Sequence, residues 1–423
     1  MSSLDVWLNE VHVARLDDTA GFGMASLQYT DEALDRFGLG TLALSVRLPV
    51  RKEAYNAFEA RNWMDGLLPE GELRAVLADR FRLATDNTVG LLAMIGRECA
   101  GAVAVTEAGE GPPASAGVRW LDDQALEQAV DDLATAPFGV SPESHVRVSL
   151  GGIQDKLVLV ERDDGALGLP LEATPSTHIL KPSPLRANGR ERWPGIVHAE
   201  LFAMRALDHA GLDVAQASYR PIDGRPAILV RRYDRETVEG RLRRLHQEDM
   251  CQALGLAPTS KYQQAADPLA PSLKRIAQVL SNHAAIPLRE LERLLEMVLA
   301  SLVLGNCDQH AKNISMLIDP ATGVRLAPSY DVVSTASLGV ETVLSLIVGG
   351  ETLLEGLTAT VIDDEVTQWG LGRRAASRLR GEVLDRLEPA LATAYEEVST
   401  EAGENPVAER AYASAQARAS SLR

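Results

Sequence analysis

Gly305-Asn306-Cys307-Asp308-Gln309-His310-Ala311-Lys312-Asn313 sets an aspartate and an asparagine five positions apart, in a polar loop between two apolar segments. A second aspartate, Asp331, follows after one hairpin's worth of sequence. Phosphoryl transfer needs such a set. One carboxylate orients the attacking hydroxyl, while an amide oxygen and a second carboxylate hold the magnesium ions that neutralise the phosphates. The spacing Asp-x-x-x-x-Asn is that of the protein-kinase catalytic loop. Alone it is a weak signal, because chance supplies such a pair in a chain this long. The flanking sequence has to decide.

Immediately upstream, Leu291, Leu294, Leu295, Val298 and Leu302 recur at helical spacing, predicting a helix over about Leu288 to Leu304 that delivers the chain into the loop. Downstream, Ser315-Met316-Leu317-Ile318, the turn Pro320-Ala321-Thr322-Gly323 and Val324-Arg325-Leu326 predict a short hairpin. A hairpin brings its ends together, so Asn313 and Asp331 can share a metal as hard oxygen donors. Asp308 is then the base and orienting carboxylate. His310 stands where many kinases place a phosphate-facing lysine, and reads either as a donor to the transferred phosphate or as a hydrogen-bonder within the loop. A zinc site using Cys307 and His310 is excluded, since no further ligands cluster nearby.

Four earlier pieces stand in the order that a two-lobed kinase requires. Ser149-Leu150-Gly151-Gly152-Ile153-Gln154-Asp155-Lys156 precedes a strand-like run, and paired glycines let backbone N–H groups approach phosphate oxygens. It is not a Walker A loop, and by itself it reads more readily as a plain hairpin turn than as a phosphate loop. Lys181 lies near the end of a short strand, where a kinase lysine reaches the phosphates, although a solvated lysine is the commoner fate. Glu200, on the following helix, can fix that lysine or sit on a helix surface. Arg231-Arg232-Tyr233-Asp234 closes an apolar strand, where a hinge would bind adenine through its backbone, with Tyr233 packing on the base and Asp234 accepting from the ribose. A charged strand end is the plain alternative.

Composition bounds the remaining readings. The 423 residues, 46% hydrophobic and 24% charged, suit a soluble globular chain of two or three subdomains. A net charge of -17 argues against wrapping DNA, and the three scattered cysteines suggest neither disulfides nor zinc. The N-terminus has no basic and apolar leader, and no apolar run approaches membrane-spanning length, so a cytoplasmic location is expected. Strand-like runs are expected at Val11 to Val13 and Leu42 to Leu48, and helices at Gly71 to Phe81, Leu121 to Ala134 and Val197 to Ala210. The Gly/Pro-rich stretch 107–117 reads as an exposed connection. The fold class expected is α+β: a two-lobed, protein-kinase-like fold with a sheet-containing N-terminal lobe and a mainly helical C-terminal lobe. Its expected parts are residues 1–106, a linker and amphipathic helix at 107–135, a nucleotide-binding small-lobe region at 136–235 and a catalytic lobe at 236–423.

These motifs, with Thr177-His178-Ile179-Leu180-Lys181, Arg232-Tyr233-Asp234-Arg235, His246-Gln247-Glu248-Asp249 and Pro328-Ser329-Tyr330-Asp331-Val332, resemble the HipA family of bacterial serine/threonine kinase toxins. Leu67-Leu68-Pro69-Glu70-Gly71 and Ala100-Gly101-Ala102-Val103 resemble its N-terminal subdomain, so the similarity covers nearly the whole chain. The resemblance implies ATP- and magnesium-dependent phosphorylation of a protein serine or threonine, in a translation component such as an aminoacyl-tRNA synthetase, with growth arrest and tolerance as the outcome. It implies a partner, a HipB-like helix-turn-helix antitoxin dimer that carries the toxin onto operator DNA. It also implies self-inactivation by autophosphorylation at Ser149. Departures are mild: Ile153 and Asp155 replace a small residue and a glutamate, Arg231 an acidic one, and Cys307 is unusual. Lys181, Asp308, Asn313 and Asp331 are all retained, which disfavours a non-catalytic co-repressor. A kinase of a lipid or small molecule stays open.

Overall fold

Apolar residues alternating from the first strand set the architecture of the N-terminal part. In the computed structural model, Ser2–Leu8 pairs antiparallel with Val11–Asp18 and with Val103–Glu107, in register Leu4↔Leu16 and Val6↔Val105. Ser26–Tyr29 completes a four-stranded sheet on the other side of Val11–Asp18. Helices Ala57–Gly66, Gly71–Arg80 and Thr88–Ile95 follow, their buried faces carrying Trp63, Leu77 and Leu92. The structure describes residues 2–18, 23–140, 145–151, 154–186, 188–340 and 342–423.

The chain packs as two units. The first comprises 1–181, 231–258 and 317–323, and the second comprises 182–230, 259–316 and 324–423. The expected small-lobe region 136–235 is therefore not a unit of its own. Its first part packs with the N-terminal subdomain and most of its second part with the helical remainder. The expected linker is also corrected. Residues 107–114 are mostly exposed, but Ser115–Trp120 is a strand that adds to the edge of Leu167–Glu172, in register Arg119↔Leu169. An open strand edge offers unpaired N–H and C=O groups that a neighbouring segment satisfies. Leu157–Glu161 and His178–Pro182 continue that sheet.

Leu42 to Leu48, expected as a strand, has no strand ladder. Leu44, Val46 and Leu48 are buried, but so are Ala43 and Ser45, and side chains satisfy the backbone. Leu44 O accepts from Trp63 Nε1 at 3.2 Å and His246 Nε2 at 2.8 Å. Val46 N donates to Glu248 Oε1 at 2.8 Å, and Tyr29 Oη donates to Leu48 O at 2.5 Å. The His246-Gln247-Glu248-Asp249 motif is thus a fastener. Asp249 caps the helix Met250–Leu254 in a capping box with Gln252. Burial pushes the His246 imidazole down to about 4 and the Glu248 carboxyl up to about 8, so both are neutral at pH 7.

A buried ionic cluster lies at the heart of this unit. Glu98 Oε1 accepts from Ser176 N and Oγ at 2.8 and 2.6 Å, from Arg232 Nη1 at 3.1 Å and from Arg235 Nη2 at 3.0 Å. Burial raises the Glu98 pKa, but Arg232, Arg235 and Arg244 outweigh it and hold the carboxyl below its ordinary range. The Glu98 backbone meanwhile accepts from Ser149 N at 2.8 Å and donates to Arg147 O at 3.0 Å. One residue therefore ties the segment before the glycine pair to the Arg232–Arg235 turn.

The second unit is mainly helical. The thirty-residue helix Arg373–Ala402 packs on Ile196–His209, Pro287–Leu304 and Pro406–Ser421. Among the described residues no helix is long and apolar enough to cross a membrane.

Removing Glu98 leaves two buried guanidinium groups short of their shared acceptor. Glu98→Ala is expected to lower the unfolding free energy by about 3–5 kcal/mol, read as a lower denaturant midpoint. A loss below about 1 kcal/mol would mean that Asp234 alone neutralises the cluster.

Candidate active site

The helix Pro287–Leu304 begins with proline at its first turn, where a missing N–H costs nothing, and ends at Gly305 in the left-handed region, φ 71°. Gly305 N donates to Leu302 O and Asn306 N to Ser301 O at 2.9 Å, so the helix closes with its last carbonyls satisfied. The polar loop is then fixed internally. Asp308 N donates to Asn306 Oδ1 at 3.2 Å, and Asn313 Nδ2 donates to Asp308 O at 3.1 Å. Cys307 N donates to Thr335 Oγ1 at 2.9 Å, and Ser345 N donates to Cys307 O at 3.0 Å.

The same helix anchors the chain's return. Leu326 N donates to Glu290 Oε2 and Leu326 O accepts from Arg293 Nη1, both at 2.8 Å. Ala327 N donates to Ser315 O at 2.9 Å. Tyr330 Oη donates to Lys312 O at 2.6 Å and so accepts from Ser315 Oγ at 2.6 Å. The two ends of the Ser315–Leu326 segment are therefore bonded to each other, and Asp331 emerges beside the loop. Its backbone is left-handed, φ 56°, a conformation that aspartate tolerates better than most residues.

Electrostatics follow from this convergence. The Asp308 carboxyl is pushed up to about 6, first by burial and then by the like charge of Asp331. Lys261 and the hydroxyls of Tyr262, at 3.3 Å, and Ser345, at 3.5 Å, pull it partly back. His310 is pushed down to about 3, chiefly by burial and then by Lys261, so its imidazole is neutral at working pH. Its ring meets Tyr262 edge-on with centroids 5.2 Å apart. Lys261, Tyr262 and Ser345 escaped the sequence reading. No spacing rule links them to the loop, and only the fold brings them there.

The back of the loop is held by the C-terminal helix Pro406–Ser421. Arg418 Nε donates to Val303 O at 2.8 Å, and Arg410 Nε and Nη2 donate to Ser337 O at 3.3 and 3.2 Å. Ala336 N donates to Gly305 O at 3.1 Å, which joins the two anchored segments. A Cβ on Gly305 would stand 2.6 Å from Arg418 Nη2.

The other expected site residues lie in both units. Asp308, His310, Asn313, Asp331 and Glu200 belong to the second, with Glu200 buried on the helix Ile196–His209. The rest belong to the first. Lys181 is buried near the end of its strand, and Arg231 is exposed at a strand end. Lys156 Nζ donates to Gly151 O at 2.9 Å, closing the base of the glycine loop. Gln154 and Asp155 are half-buried, while Gly152 and Ile153 lie outside the described residues. Tyr233 Oη donates to Gln247 Oε1. Asp234 is corrected: its carboxylate is buried and bonded to Arg232 at 2.9 and 2.7 Å and to Gly101 N at 2.7 Å, which commits it to the ionic cluster rather than to a ribose. Ser149 is wholly buried, and its Oγ donates to Leu67 O at 2.6 Å.

Among the described residues no three His, Cys, Asp or Glu side chains gather into a metal cage. The Asn313 amide and the Asp331 carboxylate still suit magnesium, which takes one or two protein oxygens and completes its shell with phosphates and water.

Two family descriptions match the chain: the HipA N-terminal domain over residues 4–106 and the HipA-like C-terminal domain over residues 148–391. A candidate kinase of Sinorhizobium fredii, Y4mE, is 34% identical over 366 residues, covering 85% of this chain and 84% of its own. The serine/threonine-protein kinase toxin HipA of Shewanella oneidensis is 29% identical over 279 residues, 63% of this chain and 61% of its own. A solved structure of the Shewanella oneidensis HipA, HipB and operator DNA complex superposes with a TM-score of 0.82 at 24% identity, covering 99% of this chain and 97% of that one. That likeness establishes the shared α+β, kinase-like fold.

Gly305→Ala is expected to cost more than about 1 kcal/mol, from the positive φ and from the Arg418 guanidinium. Adding Arg418→Ala should recover only the crowding part. A double-mutant cycle by thermal unfolding reads this as a coupling above about 0.5 kcal/mol, and additive losses would deny the contact.

Proposed function

The chain belongs to the HipA family of kinase toxins, and from that premise we propose that it is an ATP- and magnesium-dependent serine/threonine protein kinase. The observation that carries this reading is the convergence of Asp308, Asn313 and Asp331 on a loop whose two anchoring segments are bonded through Tyr330. Asp308 orients the acceptor hydroxyl and takes its proton. Its raised pKa supports that role, since a base works best near the operating pH. Asn313 and Asp331 would hold magnesium, which supplies charge neutralisation of the phosphates. For ATP we propose Gly151, Gly152, Ile153, Gln154, Asp155, Lys156, Lys181, Glu200, Arg231 and Tyr233. His310 offers the phosphoryl group a neutral donor.

The proposed target is a serine or threonine in a translation component such as an aminoacyl-tRNA synthetase, modified in the cytoplasm. A HipB-like antitoxin dimer is the proposed partner, and the related complex with HipB and operator DNA supports it. At a net charge of -17 this chain would reach DNA mainly through that antitoxin.

Self-inactivation at Ser149 has a physical basis. The Ser149 hydroxyl is buried against Leu67 O, so a doubly negative phosphate cannot occupy the same place. Phosphorylation requires the segment to leave the Glu98 backbone and then prevents its return.

Asp308→Ala is expected to abolish phosphate transfer from ATP with the unfolding midpoint retained, and a variant that still transferred phosphate would overturn the assignment. After incubation with ATP and magnesium, intact mass should show one added phosphate, mapped by digestion to residues 145–156. Label found only elsewhere removes Ser149 from the scheme.

A further inference from the structure

Phosphoryl transfer develops negative charge on the oxygens in transit, and a preorganised cation beside the base lowers that barrier. The loop around Asp308 places a histidine where such a cation would stand. Yet His310 is buried among cationic neighbours, and its Nδ1 has no hydrogen-bond partner among the described residues. A polar ring atom buried in this way points to a group that completes it.

The cation comes from another element. Lys261 is itself buried, and its carbonyl accepts from Ala311 N at 3.1 Å, which fixes it against the loop immediately after His310. Its Nζ lies 5.6 Å from the centroid of Tyr262. Tyr262 in turn donates to Asp308 Oδ1 at 3.3 Å and meets the His310 ring edge-on. Lys261 and Tyr262 thus form one wall beside the base, and Tyr262, half-exposed, marks the side open to solvent. The field of Lys261 acts on both Asp308 and His310, whereas Lys312 is prominent only for His310.

We propose that Lys261 is a further catalytic residue whose ammonium contacts the oxygens of the phosphoryl group in transit. In the step it serves, the bond from the γ-phosphorus to its bridging oxygen breaks, and the electron pair stays on the departing diphosphate. The acceptor oxygen forms the new bond to phosphorus, and its proton passes to the Asp308 carboxylate. Lys261 keeps its own proton throughout and stabilises the equatorial oxygens. Tyr262 positions Asp308 through its hydroxyl and supports the lysine with its ring face. This assignment rests on the kinase reading above.

The test uses the full chain, γ-labelled ATP and magnesium, following the rate of phosphate incorporation as a function of ATP concentration. Lys261→Met is expected to lower the limiting rate by about 100-fold or more, while the ATP concentration giving half that rate shifts by less than about threefold. Lys261→Arg restores the charge and is expected to recover at least about tenfold of the loss. Thermal unfolding of each variant, measured alongside, separates a folding defect from a chemical one: a packing role lowers the midpoint and leaves Arg no better than Met. If the wild type incorporates phosphate and Lys261→Met matches it, this assignment falls and the kinase reading stands. If the wild type incorporates none, both fall together. A loss that appears wholly in the half-saturating ATP concentration would make Lys261 a ground-state binding residue and overturn its catalytic role.

Discussion

The Tyr330 hydroxyl is the small contact on which the candidate site depends. It donates to Lys312 O and accepts from Ser315 Oγ, each at 2.6 Å. That pair of bonds joins the chain leaving the polar loop to the chain coming back toward Asp331. Without it Asn313 and Asp331 would be two oxygen-bearing side chains at the ends of separate segments. With it they share a neighbourhood, and the like charges of Asp308 and Asp331 are held close enough to perturb each other. Lys261 offsets part of that repulsion at Asp308.

Around this contact the second unit is organised as a brace. The helix Pro287–Leu304 does two jobs: its C-terminus launches the loop, and Glu290 and Arg293 near its N-terminus hold the returning strand. A single rigid element thereby sets both sides of the site. The C-terminal helix Pro406–Ser421 completes the brace from behind through Arg418 and Arg410. The first unit uses a different device, a buried ionic cluster in which Glu98 serves four donors. Such clusters add little net stability but penalise any other arrangement of the same segments. Here they fix where the Ser149 segment and the Arg232–Arg235 turn lie.

Motifs that looked alike in the sequence proved to have different work. Asp308 and Asp234 are both aspartates at element ends. Asp308 is half-buried beside hydroxyls and a second carboxylate, with its pKa raised, as suits a reacting group. Asp234 is enclosed by two arginines that hold it far below the ordinary carboxylate range, as suits a structural one. Likewise His246-Gln247-Glu248-Asp249, dense in polar groups, fastens the buried segment around Leu44 and Val46 rather than forming a reaction centre.

The sequence by itself determined the local parts. Apolar spacing determined the helix that ends at Leu304, the glycine at 305 its stop, and the Pro320–Gly323 turn the hairpin, because helix periodicity, left-handed caps and turns are settled within a few residues. The proximity of Asp308, Asn313 and Asp331 was legible for that reason: the segment linking them is local. Leu42 to Leu48 forms no strand because apolar content reports burial and not the partner of the backbone, and here Glu248 and His246, some two hundred positions away, replace the ladder. Lys261, Tyr262, Ser345 and Arg418 were invisible for the same reason. Their approach to the loop is decided by packing between distant segments, and no spacing rule encodes a contact whose geometry exists only after the chain has folded.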